Sequence, residues 1–340
     1  MTGARPCASV CIPTYNRAAI LRETVRSVLD QTLPDYEVVI SDNASSDDTP
    51  EVVRAFADPR VRYHRNPRNV GAHENWKQVL RLARGRFIAP LTDDDRMLPE
   101  NLAHKVAVLA AHPAVGLVHS KYHVLDGEGR RVRADTNWGH GPDRTRDEIQ
   151  AGAEVLAQML LSYNRINLPT VVFRRECYDR LGGFSDRLVL VDDWEYWMRI
   201  AAHYDIAFLA RPLAEWRFHG GSHTSQYALD REGETTPAAF REELVAKRLI
   251  LTRHLPAPLR TAAFRRRVWA DLAARIVART ERLLPEGGPN PEARRFALTM
   301  CRAVPEALRH VAVWKVLLKT LLRPGSVARL KRVVGRAGLV

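Results

Sequence analysis

A short apolar run ends at three carboxylates in the stretch Arg86-Phe87-Ile88-Ala89-Pro90-Leu91-Thr92-Asp93-Asp94-Asp95-Arg96-Met97-Leu98-Pro99. The run from Phe87 to Leu91 has the length and apolar character of a buried strand. Adjacent aspartates repel one another, and their oxygens suit Mg²⁺ or Mn²⁺, particularly beside substrate phosphates. Because open α/β sheets bind ligands at the carboxyl ends of their strands, this turn is a candidate ligand site. A solvated acidic turn that caps a helix beginning near Glu100 is the alternative interpretation.

The composition is that of a globular protein. The chain has 340 residues and 46% hydrophobic content, which suffices for one large domain with an appendage or for two domains. Four scattered cysteines show no metal-type pairing, so we expect a reducing compartment and no disulfide framework. The first residues lack a signal-peptide pattern, and no apolar run reaches the length of a transmembrane helix. The expected location is therefore cytoplasmic.

The charge is strongly positive and unevenly distributed. The formal net charge is +13, and Arg and Lys crowd the last 80 residues. Such an excess suggests an anionic partner without naming it. Nucleic acid is not expected, because the chain has no zinc-finger spacing, no RNA-binding aromatic signature and no clean recognition helix.

Short apolar runs alternate with helical periodicities from residue 8 to residue 215. The runs predict strands at Ala8–Ile12, Tyr36–Ser41, Val61–His64 and Phe87–Leu91, and helices at Ala18–Asp30, Pro50–Phe56 and Asn75–Ala83. This alternation predicts βαβ units and a mainly parallel, Rossmann-like sheet flanked by helices. Right-handed crossovers place the loops after the strands on one edge, so the loops at Thr14, Asp42 and Asp93 are expected to converge on one cleft.

The remaining pattern predicts two regions. Further strands are expected at Val115–Leu125, near Arg131 and at Val171–Arg174, a helix at Ala153–Leu161, and a mobile polar loop at 134–148. Beyond about residue 235, helices are expected at Pro237–His254, Leu259–Leu284 and Pro291–Leu322. We therefore expect one α/β domain over residues 1–235, with halves at about 8–125 and 126–235, and a basic helical region over 236–340.

Five motifs in a fixed order narrow the fold and the function. They are Val10-Cys11-Ile12-Pro13-Thr14-Tyr15-Asn16-Arg17, Val38-Val39-Ile40-Ser41-Asp42-Asn43-Ala44-Ser45-Ser46-Asp47-Asp48-Thr49, Asn69-Val70-Gly71 with Asn75-Trp76, the acidic triplet, and Gly182-Gly183-Phe184 with Val191-Asp192-Asp193-Trp194-Glu195-Tyr196-Trp197-Met198-Arg199. In this order they resemble the conserved segments of family-two glycosyltransferases with the GT-A fold. The resemblance covers roughly residues 8–225. It implies an enzyme that moves a sugar from a nucleotide-diphosphate donor to an acceptor hydroxyl with inversion.

The resemblance also implies a donor site with a divalent Mg²⁺ or Mn²⁺ ion. The implied nucleotide-sugar contacts are Pro13, Thr14, Tyr15, Arg17, Asp42, Asn69, Gly71 and Asp93, and the implied metal ligands are Asp94, Asp95 and His219. The family pattern usually has an aspartate at the position of Thr92, so the ligand set stays open here. A loop histidine bonded to backbone is the alternative interpretation of His219.

On the acceptor side, the resemblance implies that Asp193 is the general base. Asp192 and Trp194 are then expected beside the acceptor, with Trp197 inside the core. Because both aspartates come at a helix start, their carboxylates are expected to face a cleft. The alternative is that Asp192 is an N-cap and Asp193 a first-turn acid.

Two other function classes stay open at this stage, together with the role of the basic tail. A nucleotidyltransferase would need a glycine-rich phosphate loop, which Pro13-Thr14-Tyr15-Asn16 is not; a non-catalytic membrane or nucleic-acid protein would not need the acidic triplet. The tail segment 311–323 places Trp and Leu beside Lys and Arg, as in helices that lie in a membrane interface. We therefore expect peripheral contact with the inner face of the membrane and a glycan, lipid-linked or small-molecule acceptor, as in polysaccharide or natural-product synthesis. Packing on the catalytic domain or in a homodimer is the alternative.

Overall fold

The computed structural model describes residues 5–135, 144–162, 164–220, 235–284 and 290–321. The chain divides into two compact units, Met1–Gln226 and Tyr227–Val340. The predicted boundary at residue 235 and the two predicted halves of the first domain stay predictions. The centre of the predicted mobile loop, around Trp138, lies outside the described residues, as do Gly221 to His223 and the basic positions after Leu321.

In its described residues, the first unit contains ten strands and seven α-helices. The strands are β1 (Ala8–Thr14), β2 (Tyr36–Asp42), β3 (Val61–Arg65), β4 (Phe87–Pro90), β5 (Arg96–Met97), β6 (Val115–Leu125), β7 (Arg131–Asp135), β8 (Glu148–Gln150), β9 (Val172–Arg174) and β10 (Asp205–Arg217). The helices are α1 (Ala18–Leu29), α2 (Thr49–Arg54), α3 (Ala72–Leu82), α4 (Asn101–Ala111), α5 (Gly152–Leu161), α6 (Arg175–Leu181) and α7 (Asp192–Ala201).

One sheet with the order β3-β2-β1-β4-β9-β6-β10-β5 organises this unit. The first four strands are parallel, β6 and β10 are parallel to each other, and β9 runs antiparallel between β4 and β6. Strand β7 pairs with β6, and β8 pairs with β10. The predicted mainly parallel α/β sheet is therefore confirmed. The strand predicted at Val171–Arg174 forms as β9, and its antiparallel direction was not predicted.

The core explains why the first strands and the first helix form where they do. Val10 and Ile12 of β1 are fully buried, and so are Leu21, Val25 and Val28, which lie at helical spacing on α1. All five belong to one apolar cluster. Burial of such side chains contributes about 1.5–3 kcal/mol each relative to exposure, so the amphipathic face of α1 fixes this helix on the sheet.

The carboxyl ends of β1, β2 and β4 meet at one edge of the sheet. In register, Thr14 lies opposite Asp42, and Cys11 lies opposite Pro90. The segments that follow β1, β2 and β4 therefore leave the sheet side by side. This arrangement brings the polar loops together, as the crossover argument predicts.

The second unit is helical. It contains α8 (Pro237–Leu249), which continues as a π-helical turn over Ile250–His254, then α9 (Ala262–Arg282), α10 (Pro291–Ala303) and α11 (Val311–Lys319). The side chains of Thr236, Thr261 and Asn290 cap α8, α9 and α10 by accepting backbone N–H bonds. The single helix predicted over Pro291–Leu322 is wrong, because α10 ends before Pro305 and a 3₁₀ turn over Pro305–Arg309 precedes α11.

Candidate active site

Asp93 joins the turn after β4 to the end of β1. Its Oδ2 accepts a hydrogen bond from the Thr14 hydroxyl at 2.7 Å, the backbone N–H of Tyr15 also donates to this carboxylate, and Arg17 Nη1 lies 3.3 Å from Oδ1. Burial and the neighbouring Asp94 charge raise the pKa of Asp93 to about 6. With these three donors its carboxylate has a fixed orientation, so the two loops form one continuous surface.

Asp95 is held by other protein groups than Asp93. The Thr92 hydroxyl donates to its Oδ2, and the backbone N–H of Arg217 donates to its Oδ1 at 2.8 Å. The side chain of Thr24 donates to the Asp93 and Asp95 carbonyls and so fixes the turn from below. Asp95 is only 1% exposed. This geometry favours a positioning role for Asp95, and its role as a metal ligand stays a prediction.

The central carboxylate, Asp94, faces a guanidinium and an imidazole. Its Oδ2 accepts from Arg17 Nη1 at 2.5 Å and lies 3.1 Å from His219 Nε2. Burial alone would raise the pKa of Asp94, but the hydrogen bonds and charges of His219 and Arg17 outweigh it and hold that pKa below the usual value. The carboxylate is therefore the most strongly anionic point of the triplet.

Asp94 and His219 could together hold a divalent ion. Two neighbouring ligands of an octahedral Mg²⁺, each at about 2.1 Å, are about 3.0 Å apart, which matches the observed separation of Oδ2 and Nε2. One carboxylate oxygen and one imidazole nitrogen leave most of the coordination sphere for water and phosphate oxygens. The donor set thus fits a metal that is shared with a diphosphate ligand.

Arg217 anchors the acidic turn from the end of β10, and sequence reasoning missed it. This residue is 2% exposed. Its Nε donates to the Asp94 carbonyl at 3.0 Å, its Nη1 to the Gly127 carbonyl at 3.2 Å, and its Nη2 to Glu23 at 2.7 Å. The guanidinium therefore connects α1, the turn after β6 and the acidic triplet. No local signal marks it, because its partners lie 90 or more positions away along the chain.

The carboxylate of Asp42 is bonded to protein groups. Its carboxylate accepts from the Tyr63 hydroxyl at 2.5 Å and the Ser45 backbone N–H at 2.8 Å, and Arg65 Nε lies 3.5 Å away. Its side chain is fully buried. The predicted direct contact of Asp42 with the nucleotide stays a prediction. The observed hydrogen bonds indicate that Asp42 stabilises the shape of the loop after β2.

The segment after β3 lies at the same edge of the sheet as the loops after β1, β2 and β4. Asn69 accepts a hydrogen bond from Asn43 at 2.8 Å and one from the Gly71 N–H at 2.8 Å. Gly71 has a φ of +88°, which a side chain would strain. A cavity of about 540 Å³ opens here, lined by Asn66, Arg68, Asn69, Val70, Glu74, Gln78 and Arg81. Of the other predicted donor residues, Tyr15 is 44% exposed and Pro13 is half-buried.

Asn75 fixes helix α3 to the donor loops. Its Oδ1 accepts from Ser41 Oγ at 2.7 Å and Asn66 Nδ2 at 3.0 Å, while its Nδ2 donates to the carbonyls of Ser41 at 2.9 Å and Thr14 at 3.4 Å. Asn75 is 2% exposed, and all four bonds are internal. The start of α3 is therefore held rigidly against the ends of β1 and β2.

The acceptor-side aspartates occupy the first turn of α7. Helix α7 starts at Asp192, with Val191 as its N-cap residue, so both predicted acids are helical. Burial and the adjacent Asp192 charge raise the pKa of Asp193 to about 7, although the Trp194 N–H, 2.6 Å from Oδ1, offsets part of the rise. A carboxyl group that titrates near neutral pH can accept a proton and release it again.

Aromatic side chains pack beneath this turn. Phe184 makes edge contacts with Trp76, Tyr196 and Trp197 at centroid distances of 5.9, 5.6 and 6.4 Å. Trp197 is fully buried, as predicted. Trp194 is 5% exposed, so only a small part of its surface is open to an acceptor. The aromatic cluster connects α3 to α7 and supports the helix that carries Asp193.

Comparison with known proteins places this site in a family. The sequence model of glycosyl transferase family 2 matches residues 9–165. An uncharacterized protein of Mycobacterium tuberculosis is 30% identical over 234 residues, which are 67% of this chain and 72% of that protein. The chain belongs to glycosyltransferase family 2. The class of enzyme predicted from the five motifs is thereby confirmed, and the phosphoryl-transfer and non-catalytic alternatives are not supported.

Further relatives agree with this family 2 assignment. An uncharacterized glycosyltransferase of Methanocaldococcus jannaschii is 22% identical over 218 residues, which are 63% of this chain and 71% of that protein. The solved structure of S. aureus TarS in complex with UDP-GlcNAc matches with a TM-score of 0.59 at 17% identity, over 91% of this chain and 90% of that chain. This likeness confirms the predicted GT-A fold of the enzyme.

The glycosyltransferase offers no candidate for a membrane crossing in its described helices. None of them combines the required length with sufficient apolar character.

Proposed function

We propose that this family 2 glycosyltransferase transfers a sugar from a nucleotide-diphosphate donor to an acceptor hydroxyl, with inversion at the anomeric carbon and with the help of a divalent ion. The observation that carries the proposal is the position of Asp94. Its carboxylate meets Arg17 and His219 at the sheet edge, while the carboxylates on either side of it bind the surrounding loops.

The donor lies over the loops after β1 and β4. Thr14, Tyr15 and Arg17 border the acidic turn, and the Arg17 guanidinium suits a phosphate oxygen as well as a carboxylate. Asn69 and Gly71 border the nucleotide side, where Gly71 allows close approach of the backbone. TarS binds UDP-GlcNAc in its solved structure, so UDP-sugars are the first donors to test here.

Mg²⁺ or Mn²⁺ would be held by Asp94 and His219, with Asp93 beside it on the sugar side. When bound, such an ion neutralises the diphosphate as negative charge develops on the leaving oxygen. Arg17 lies on the same Asp94 oxygen and supplies a second positive group to the diphosphate. Asp95 and Arg217 hold the turn in the shape that this arrangement needs.

Asp193 receives the proton of the acceptor. The acceptor oxygen attacks the anomeric carbon from the face opposite the leaving group, and the C–O bond to the diphosphate breaks with its electron pair on the diphosphate oxygen. The acceptor O–H proton passes to a carboxylate oxygen of Asp193. A pKa of about 7 matches this group to proton transfer near neutral pH. Asp192 and Trp194 border the acceptor.

Donor-dependent thermal stabilisation tests the proposal. A ligand that binds only the native state raises its melting temperature by mass action. UDP-, GDP- and ADP-sugars are screened with Mn²⁺ and with chelator, using wild type and Asp94→Asn. The expected result is a shift for one nucleotide class that requires both Mn²⁺ and Asp94. Equal shifts in Asp94→Asn with chelator, or none with any donor, would contradict it.

The second unit supports a further part of the proposal, peripheral contact with an anionic membrane. Residues 236–340 hold the whole positive excess of the chain, since residues 1–235 carry slightly more acidic than basic side chains. Helix α11 and the residues directly after it expose an apolar stripe with spacing of three and four residues: Val311 68%, Trp314 53%, Leu318 43% and Leu321 49%. Lys315 lies beside the stripe and is exposed. Apolar stripes bordered by lysine suit the headgroup region of a bilayer.

Vesicle binding of the full chain tests this contact. The variant Trp314→Ser with Leu318→Ser is compared with Leu298→Ser, which removes an exposed leucine from α10. Binding to phosphatidylglycerol vesicles should fall in the double variant and persist in the control, and 1 M salt should weaken it. No binding of wild type, or equal binding of all three proteins, would exclude the contact; concentration-dependent self-association through the stripe would indicate a homodimer instead.

A further inference from the structure

His73 forms a charged pair with the residue next to the proposed base. Its Nδ1 lies 2.8 Å from Asp192 Oδ2, and the two side chains are 13% and 14% exposed. His73 lies in the first turn of α3 and Asp192 is the first residue of α7. The pair therefore bridges two helix starts that are 119 positions apart in the sequence.

These two helix starts belong to the two sides of the reaction. Helix α3 begins directly after Gly71 and is fixed by Asn75 to the ends of β1 and β2. Helix α7 carries Asp193. Phe184 packs against Trp76 of α3 and against Tyr196 and Trp197 of α7, so aromatic contacts also join the two helices. Among these contacts, the His73–Asp192 pair is the charged link between the donor-side helix and the acceptor-side helix.

Several charged groups face His73, and their balance favours its protonated form. Asp192 contacts it from α7, Asp186 lies 3.7 Å from Nε2 in the loop before α7, and Glu74 and Lys77 lie on its own helix. The hydrogen bond to Asp192 raises the pKa of His73 above its usual value, against burial and the Lys77 charge. Lys77 is itself bonded to Asp186 and Glu74. The imidazolium thus places a positive charge beside the Asp192 carboxylate.

We propose that His73 is a positioning residue for Asp193: its imidazolium neutralises Asp192 and holds the start of α7 against α3, so that Asp193 stays able to ionise and accept the acceptor proton. This inference rests on the proposed function of Asp193. The physical reason is that two adjacent carboxylates without a counter-charge cannot both ionise easily. With Asp192 paired, its repulsion of an ionised Asp193 is reduced, and Asp193 is the carboxylate left to exchange its proton.

Replacement by a neutral residue of similar reach tests the charge separately from the contact. His73→Asn can still donate a hydrogen bond to Asp192 but carries no charge, whereas His73→Lys keeps a positive charge. His104→Asn is the matched control, because His104 pairs with Glu100 at 3.2 Å on an exposed face of α4. Transfer rates are measured from pH 5.5 to 9 for all four proteins.

The expected result is a shift of the acidic limb of the rate profile in His73→Asn. Loss of an opposite charge beside the acid pair should move that limb upward by about 0.5–1 pH unit and leave the rate at pH 9 within about threefold of wild type. His73→Lys should restore the limb, and His104→Asn should match wild type. If the acidic limb of the rate profile lies at the wild-type pH in His73→Asn, the proposal is overturned, whether or not the rate is uniformly lower.

A direct titration separates this inference from the proposed function. The Asp193 carboxyl is followed by ¹³C NMR in aspartate-labelled protein, with its signal identified by its loss in Asp193→Asn. An upward shift of that titration in His73→Asn supports the coupling even without turnover, and an unchanged titration overturns it. If the coupling is present but Asp193→Asn transfers sugar at the wild-type rate, the proposed base is wrong and the pair is structural.

Discussion

Arg17 Nη1 lies 2.5 Å from Asp94 Oδ2, so a cation of the protein occupies the carboxylate that we assign to the metal. The same nitrogen lies 3.3 Å from Asp93, and Arg17 is about a quarter exposed. A divalent ion bound at Asp94 would therefore compete with this guanidinium for one oxygen, and a diphosphate would offer Arg17 other partners. The arrangement gives the acidic triplet a counter-charge in the absence of ligand.

Removal of this internal cation should change metal affinity and donor affinity in opposite directions. In Arg17→Gln, Mn²⁺ should bind more tightly without donor, by about 3–10-fold, because a competing charge near Asp94 is gone. UDP should bind more weakly, since a phosphate contact is lost. Mn²⁺ binding is followed by electron paramagnetic resonance and UDP binding by calorimetry. Unchanged or weaker Mn²⁺ binding in the variant would contradict the competition.

Arg217 should be required for both stability and activity. Arg217→Gln removes a buried guanidinium that bonds to the Asp94 carbonyl, the Gly127 carbonyl and Glu23. Loss of such a buried charged network should lower the free energy of unfolding by about 3 kcal/mol and slow transfer at every pH. The control is Arg130→Gln, whose side chain is 73% exposed. Denaturant unfolding with equal stability of both variants would refute the anchoring role.

Gly129 should be intolerant of a side chain for a related reason. It has a φ of +81°, and an added Cβ would lie 2.8 Å from Arg217 Nη1. Gly129→Ala should therefore cost about 1–2 kcal/mol of stability. Gly127→Ala in the same turn meets only the His219 Cβ at 3.6 Å and serves as the control. Similar melting temperatures for the two variants would show that the turn adapts without strain.

Asp193 should destabilise the fold at alkaline pH. Its pKa is raised to about 7 in the folded protein, so the folded state holds the proton more tightly than the unfolded state does. Its contribution to stability is therefore greatest below pH 4 and falls as the pH rises toward 7. Asp193→Asn should melt at least about 2 °C higher than wild type at pH 8, with a smaller difference at pH 5.

The transfer rate of Asp193→Asn should fall by roughly 10²–10⁴-fold.

A melting temperature of Asp193→Asn that is lower than wild type at pH 8 would contradict the raised pKa. The matched variant is Asp192→Asn, which loses its ion pair with His73 and should be less stable than wild type at pH 6. If Asp192→Asn loses transfer while Asp193→Asn remains active, the assignment of the base is reversed.

The donor half of the site was predictable because its signals are local. Apolar runs end at Thr14, Asp42 and the acidic triplet, and parallel topology then brings these ends to one edge. The order of the five motifs also made the glycosyltransferase family predictable. The direction in which each carboxylate points was not predictable, since Asp42 is buried by Tyr63 from the neighbouring strand and Asp95 is held by Arg217 from the last one.

The rest of the site depends on contacts between distant segments. The His73–Asp192 pair and the Arg217 network join residues about 90 to 190 positions apart, and no periodicity reports such contacts. Strand β10 was missed because its sequence contains Arg211 and Pro212, where its pairing with β6 shifts register. These positions break the apolar pattern on which a strand prediction depends.

We propose that Asp94 supports metal-assisted sugar transfer. The most direct measurement is the initial rate of sugar transfer by wild type and Asp94→Asn, with Mn²⁺ and with chelator, once the donor screen has identified the nucleotide. We expect a wild-type rate that depends on the divalent ion and falls by at least about 10²-fold in Asp94→Asn, while the circular dichroism spectra of the two proteins agree. Near-normal transfer by Asp94→Asn in chelated buffer would contradict it.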